Sequence, residues 1–332
     1  MSAETTLADS EQRVAATKQP PGRNRKKARG RNRLWAHIYR YRVLYLLMAP
    51  ALAYVLVYKY GPLYGLLVAF KDYNLGLGIL DSPWADPWYS HFAAFVTSPY
   101  AGQLIRNTLV ISVYKLVFGT VAAIGVALLF NECRVRWFRR WVQTLSYMPH
   151  FLSWVVVYGV AVALLSQSTG YLNTFFRQTF GDTVPFLTST EWFRTVLVTS
   201  DIWKDIGWGA IIYLAAMVGI NPELYEAARM DGAGRVRQIW HITLPGIRNV
   251  IILLLVLKLG GILDAGFDQV FIFLNPLVLS VGDIIDTWVY RVGLVDLNYS
   301  VAAAAGLFKS IIGLVLMVTV NRMARRWDGQ VW

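Results

Sequence analysis

Charged side chains set inside long apolar runs are the residues of this 332-residue chain best placed to do chemistry. In the run 192–218, Asp201, Lys204, Asp205 and Trp208 recur at i, i+3, i+4 and i+7, which is one face of a helix. In 248–272, Asp264 and Asp268 share a side with Gly260 and Gly261. In 300–323, Lys309 lies on a stripe with Ala302, Ala305, Gly306 and Gly313. Lys115 and Lys258 are equally deep in apolar sequence, without a clear companion set. At bilayer depth each such charge costs about 2.5–3.5 kcal/mol on insertion scales, so these faces should point at protein or at a water-filled path. Two kinds of chemistry are open to them: internal ion pairing, for example Asp201 with Lys204 while Trp208 packs, or electrostatic contact with a polar solute in transit. The stripes of small residues also suit close helix packing, which explains Lys309 least well. Metal and redox chemistry have no support. His37, His91, His150 and His241 share no ligand-like spacing, and Cys133 is the sole cysteine.

The elements that must position these charges are membrane spans. The chain is 56% hydrophobic and 16% charged, more apolar than a soluble fold of this size. Six runs, 43–69, 107–130, 145–166, 192–218, 248–272 and 300–323, each approach the ~20 residues a bilayer requires. The expected fold is therefore an all-α integral membrane protein of six transmembrane helices. Its parts are a basic tail (1–42), a six-helix domain (43–323) and a short C-terminal tail (324–332). Pro50 and Pro62 should bend or shorten the first helix, and Pro149 the third.

Charge sets the expected orientation. Residues 1–42 carry eleven Lys/Arg and three acidic residues, with no apolar core ahead of a cleavage site, so they do not read as a cleaved signal peptide. With the N-terminus inside, the cytoplasmic segments hold 22 Lys/Arg. The outer segments hold only Lys71, Arg106, Arg177 and Arg291. Both termini are thus expected in the cytoplasm. The cluster RNRKKARGRNR at 23–33 has the composition of a nucleic-acid arm. Beside an apolar span it reads instead as positive charge held against anionic headgroups, with Trp35, Tyr39 and Tyr41 at the interface and no nucleic-acid partner. Outside, 71–106 contains Trp84, Trp88, Tyr89 and Tyr100, and 273–299 contains Asn275, Pro276, Trp288 and Tyr290. These aromatics suit either an interfacial belt or a floor on which another protein docks.

Between the fourth and fifth apolar runs, 221–247 reads NPELYEAARMDGAGRVRQIWHITLPGI. Asn221 is a good N-cap, Pro222 suits the first helical position, and Glu223 complements the positive helix end. A short helix is expected over 222–231, with Gly232 in the left-handed conformation that ends helices. A second should begin at Ala233 and stop at Pro245. Glu226, Arg229, Arg235 and Arg237 are expected to be exposed. As a plain connector, the segment would do no more than pair Glu226 with Arg229.

Glu226, Ala227, Ala228, Gly232, Ile242, Leu244 and Pro245 match the EAA signature without a gap, so the chain resembles the permease subunits of bacterial ABC importers. NTLVIS at 107–112, QTLSYMPHFLSWVVV at 143–157, IWKDIGWGAIIYLAA at 202–216 and NPLV at 275–278 extend the resemblance over about 40–332. They resemble the maltose-permease-like sugar family, in particular its subgroup for polysaccharide-derived oligosaccharides such as alginate or pectin fragments. Only the six-span core is matched, without the extra spans and large outer domain of the bigger maltose-permease subunit.

The resemblance implies a location in the bacterial plasma (inner) membrane. It implies four kinds of partner: a second homologous permease subunit, usually in a heterodimer, a dimer of ATP-binding subunits, an extracytoplasmic solute-binding protein, and the bilayer. It also implies that 221–247 is the coupling segment, with Glu226, Ala227, Ala228, Arg229, Asp231, Gly232 and Arg235 facing the ATPase. No G-x-x-x-x-G-K-[ST] occurs, so ATP and Mg are expected on the partner ATPase, with no cofactor and no enzyme activity on this chain. The substrate path is expected along Asp201, Lys204, Asp205, Trp208, Asp264, Asp268 and Lys309, and its lysines would suit an acidic oligosaccharide. A permease for a peptide or polyol, or a membrane sensor retaining the fold, are the alternatives.

Overall fold

The computed structural model describes residues 39–324. The basic cluster at 23–33, Trp35 and the last eight residues lie outside them. The fold divides into two units, Met1–Tyr64 and Gly65–Trp332.

In the first unit, α1 (Arg42–Val55) is apolar all round and buries none of its residues, the surface of a helix made for lipid or for another subunit. Pro50 is accommodated inside it. A wide turn follows at Leu56–Tyr60, immediately ahead of Pro62, and Arg42–Phe70 continues as one 29-residue span that neither proline breaks. The chain then tightens into a 3₁₀ winding over Gly61–Phe70.

In the second unit, α2 (Ala101–Glu132) has 32 residues and is about 48 Å long, more than a bilayer core requires. The third span is broken. α3 (Arg136–Tyr147) and the turn carrying Pro149 are bent by 109° from α4 (Trp154–Leu165). Residues 136–144, expected as loop, are helical, and the apolar helix proper starts only after Ser153 caps it by accepting from the Val156 N–H. α5 (Phe193–Val218) packs along α2. α6 (Pro222–Met230) follows it at 72°.

The second short helix of 221–247 does not stop at Pro245. α7 (Arg235–Gln238) runs through a wide turn at Ile239–Thr243 into α8 (Leu244–Leu259), one continuous span. The Leu244 N–H reaches back five residues to the Ile239 carbonyl. That wider turn makes room for the pyrrolidine ring and its missing donor. The fifth span then ends early. Expected through 272, it breaks after Leu259 and resumes only as α9 (Phe267–Phe273), with Gly266 left-handed between them at φ 84°. α10 (Ile285–Tyr290) and α11 (Tyr299–Ala324) complete the chain. Among the described residues, four helices are long and apolar enough to cross a membrane, and up to six if each bent pair counts as one span. Among the described residues there is no β-strand, only an isolated bridge between Lys71 and Trp84.

Three apolar clusters hold the second unit together. One joins Val157, Phe193, Leu197, Val270 and Phe273. Another joins Ala127, Phe130, Ala210, Tyr213, Met217 and Ile247. The third joins Phe95, Leu104, Ile285, Trp288 and Ala305. Trp288 is therefore not part of an aromatic belt. It is 7% exposed, with its ring 5.2 Å from Phe95, whereas Trp84, Trp88, Tyr89 and Tyr100 are exposed as expected. Two helices approach closely at Gly207 on α5, where a Cβ would collide with the backbone of Ser146 on α3. Gly207→Val should therefore cost at least the ~1–3 kcal/mol of an overpacked core, because the obstacle is main chain and cannot rotate away. Permease recovered from membranes, and its unfolding midpoint in detergent, should both fall; parity with the parent chain would show that α3 moves freely.

Candidate functional site

The charged residues of the spans gather around two cavities that meet at the break in the fifth span. The first, about 280 Å³, lies between α2, α5 and the residues after Leu259. Lys115 reaches into it from α2. Its Nζ is 3.3 Å from Asp201 Oδ1 and donates to the Ala265 carbonyl at 2.8 Å and to Gln269 Oε1. Gln269 in turn donates to the Leu197 carbonyl and to Ser200 Oγ, both at 2.8 Å. One ammonium thus ties α2, α5 and the segment beyond the break together. The pair is largely withdrawn from solvent, with side chains 11% and 24% exposed. Asp205, Lys258 and Asp264 line the rest of the cavity. Lys258 is exposed and has no carboxylate within 4.0 Å among the described residues.

The second cavity, about 630 Å³, is lined by residues 260–264 beyond the end of α8, by α10 and by α11. Lys309 Nζ lies 2.6 Å from both carboxylate oxygens of Asp286. Gly306, Ser310 and Gly313 leave the floor around the pair low, and Gly261 and Asp264 line both cavities.

Beside the first cavity, His150 from the broken third span meets α5. Its Nδ1 is 2.6 Å from Asp205 Oδ1. Its ring stacks on Trp208 at 4.6 Å, with the two planes 1° apart. Lys204 donates to the His150 carbonyl and lies 5.6 Å from the centre of the Trp154 ring. Trp208 is half-exposed, so it presents an aromatic surface next to a carboxylate.

The face Asp201, Lys204, Asp205, Trp208 is thus real, but the internal pairing that its spacing allows is not made. Asp201 pairs with Lys115, and Lys204 turns to a backbone carbonyl. Lys309 is not an unaccompanied positive charge, because Asp286 neutralises it. Asp268 lines neither cavity: the break in the fifth span destroys the common stripe expected for Gly260, Gly261, Asp264 and Asp268, and Asp268 falls in the first turn of α9. Sequence reasoning missed Asp286, His150 and Gln269. Each lies in apolar sequence, which was the available signal, but their partners are 23 to 154 residues away.

The segment 221–247 keeps most of its expected detail. Asn221 Oδ1 accepts from the Glu223 N–H at 3.1 Å, Pro222 begins α6, and Gly232 has φ 76°. Tyr225 Oη bonds Thr243 Oγ1 at 3.0 Å, fastening α6 to the start of the fifth span. Glu226 is exposed and makes no ion pair with Arg229, whose Nε donates to the Tyr225 carbonyl instead. Arg235 approaches Glu132 at 3.9 Å, linking the segment to the end of α2. Ala227 and Arg229 are also exposed, with Met230, at 89%, the most open of the large hydrophobic side chains among the described residues.

Residues 115–329 match the family described as binding-protein-dependent transport system inner membrane component. The chain is 44% identical over 285 residues to protein LplB of Bacillus subtilis (strain 168), covering 86% of this chain and 89% of that one. It is 43% identical over 297 residues to the polygalacturonan/rhamnogalacturonan transport system permease protein YteP of the same organism, covering 90% and 92%. Among solved structures, a chain of a bacterial ABC transporter involved in the import of the acidic polysaccharide alginate superposes with a TM-score of 0.82 at 40% identity, covering 89% of this chain and 99% of that one. A second structure of the alginate transporter, in complex with a periplasmic protein bound to an alginate pentasaccharide, also gives a TM-score of 0.82 at 40% identity, covering 90% and 99%.

Proposed function

The chain belongs to the family of binding-protein-dependent transport system inner membrane components, and from that premise we propose that it is one of two homologous permease subunits of an ATP-driven importer of acidic oligosaccharides. As a member of the family it is a multi-pass membrane transport component and not an enzyme. Both termini are cytoplasmic in this reading, in keeping with the bias of Lys and Arg toward 1–42, 131–144, 219–248 and 322–332. The segment 221–247 then faces an ATPase subunit, to which Glu226, Ala227, Ala228, Arg229, Asp231, Gly232 and Arg235 offer an exposed polar surface. Solute arrives from an external binding protein and passes Asp201, Asp205, Trp208, Lys258, Asp264 and Lys309.

One observation carries the substrate class: Lys258 lines the first of two adjoining cavities with no carboxylate within 4.0 Å among the described residues, whereas Lys115 and Lys309 are each paired with an aspartate. A uronate carboxylate stripped of water gains from a lysine that no carboxylate of the protein has taken, because a low-dielectric path strengthens every charge contact. The resemblance to permeases and importers of polygalacturonan and alginate supports the same choice. Since Lys309 is already neutralised by Asp286, removing the lysine alone would leave a bare carboxylate facing the substrate. The informative variant is therefore Lys258→Met, which removes the unpaired cavity charge, compared at matched abundance for uptake of acidic and neutral oligosaccharides of equal length. Uptake of the acidic sugar is expected to fall selectively, by about tenfold for about 1.4 kcal/mol of lost charge contact. Equal losses of both sugars would sink the acidic assignment.

A further inference from the structure

Between the segment 221–247 and the two cavities the chain runs as a single rod. α8 has 16 residues, about 24 Å of helix, and only Ile247 and Val256 of them are buried. Its far end is the break at 260–266, which contains Gly260, Gly261 and the left-handed Gly266. Glycines bend there at little steric cost. The break borders both cavities through Gly261 and Asp264, and Lys115 holds it by the Ala265 carbonyl.

The near end of α8 is where α6 is attached. α6 buries none of its nine residues, and only Tyr225 and Ala228 are even half-buried. Among the described residues a single side-chain hydrogen bond joins it to another element, from Tyr225 Oη to Thr243 Oγ1 at 3.0 Å. Thr243 is fully buried in the wide turn that leads into α8, and its hydroxyl donates to the Gln238 carbonyl at 3.5 Å, which leaves Tyr225 as the donor to it. Water therefore cannot replace the bond at Thr243 when it is cut. Just ahead of α6, Ile220 lies against Gly246, where a Cβ would come within 2.8 Å of the Ile220 Cδ1. The other tie of this segment, Arg235 to Glu132 at 3.9 Å, joins two solvent-accessible side chains and is screened.

We infer, on the reading that 221–247 meets an ATPase, that the Tyr225–Thr243 hydrogen bond is the link through which a displacement of α6 drives the fifth span. A push on α6 passes through this bond and the Ile220–Gly246 contact into α8. The helix shifts as a stiff body, and the glycines at 260–266 take up the shift beside Lys258 and Asp264. Tyr225 and Thr243 are positioning residues: both lie outside the two cavities, and they set where α8 stands when α6 moves.

The test measures oligogalacturonate import and ATP hydrolysis together, by the assembled transporter in proteoliposomes. Tyr225→Phe and Thr243→Val each keep the shape of the side chain and lose the bond. Substrate-stimulated hydrolysis is expected to stay at the parent rate while sugar imported per ATP falls about fivefold, which corresponds to about 1 kcal/mol for one hydrogen bond. Thr243→Ser keeps the hydroxyl and should import as the parent does. Tyr225→Phe/Thr243→Val should be no worse than either single variant, because both remove the same link. A parent-like ratio in Tyr225→Phe overturns the inference. So do additive losses in the double variant, which give the two residues separate roles, and a fall in hydrolysis that matches the fall in import, which places Tyr225 on the ATPase-binding surface. If Thr243→Val lowers the yield of complex, Tyr225→Phe and Thr243→Ser decide. No import by the parent transporter sinks the importer reading and the link with it, whereas equal import per ATP by parent and variant sinks the link alone.

Discussion

Glu226→Lys is expected to leave the permease inserted and as abundant as the parent chain, while substrate-stimulated ATP hydrolysis by the purified complex falls at least tenfold. Glu226 is exposed on α6 and forms no ion pair among the described residues, so reversing its charge removes no contact seen there. The local helix is set by other residues: Asn221 caps it, Pro222 starts it, and Tyr225 is bonded to Thr243. The expected loss comes from the interface. Truncating one member of a desolvated, hydrogen-bonded charge pair costs about 2–5 kcal/mol, and lysine adds repulsion to the lost attraction. Each 1.4 kcal/mol is a factor of ten in docking. Glu226→Gln, which keeps size and hydrogen bonding, should lose less. Full substrate-stimulated hydrolysis by the lysine variant would remove Glu226 from the coupling surface, and a permease that no longer inserts would assign it a folding role.

The second large effect is expected inside the membrane domain. Lys115→Met leaves Asp201 with no cation within 4.0 Å among the described residues and releases Gln269 and the Ala265 carbonyl. Removing one partner of a buried pair destabilises by about 3 kcal/mol at the low end of the usual range, because the surviving charge is left uncompensated. Lys115→Met/Asp201→Asn removes that charge and should recover most of the stability. It should not recover transport, since the bonds from α2 to Ala265 and Gln269 are still missing. The comparison needs the unfolding midpoint of each purified variant and its uptake in vesicles. If the double variant is no more stable than Lys115→Met, the lysine acts through its hydrogen bonds and not through its charge.

What the sequence determined by itself is whatever depends on neighbours within a few turns of helix. The grammar of 221–232 is local: a capping amide, a proline at the first helical position and a glycine at positive φ each act within four residues, so the helix and its end appear in the structure where they were expected. Six apolar runs and their skewed basic flanks are also local quantities, and they lead to a multi-pass helical membrane protein without reference to contacts. Pro149 and the break in the third span belong with them. Tertiary structure alone decided who partners whom. Asp201 and Lys204 are one turn apart, yet Lys115, 86 residues earlier, takes the aspartate because α2 packs along α5 and carries its ammonium into the cavity. Lys309 reads as a lone charge on a stripe of small residues until the short helix Ile285–Tyr290 folds back and brings Asp286 to it. His150 shows no pattern at all before the bend at 148–153 lays its ring on Trp208. The early end of the fifth span has the same origin: Lys115 and Gln269 bond into the segment that breaks. Sequence spacing records which side chains share a face. Which face meets which is set by packing over distances of 23 to 154 residues, where no local pattern survives.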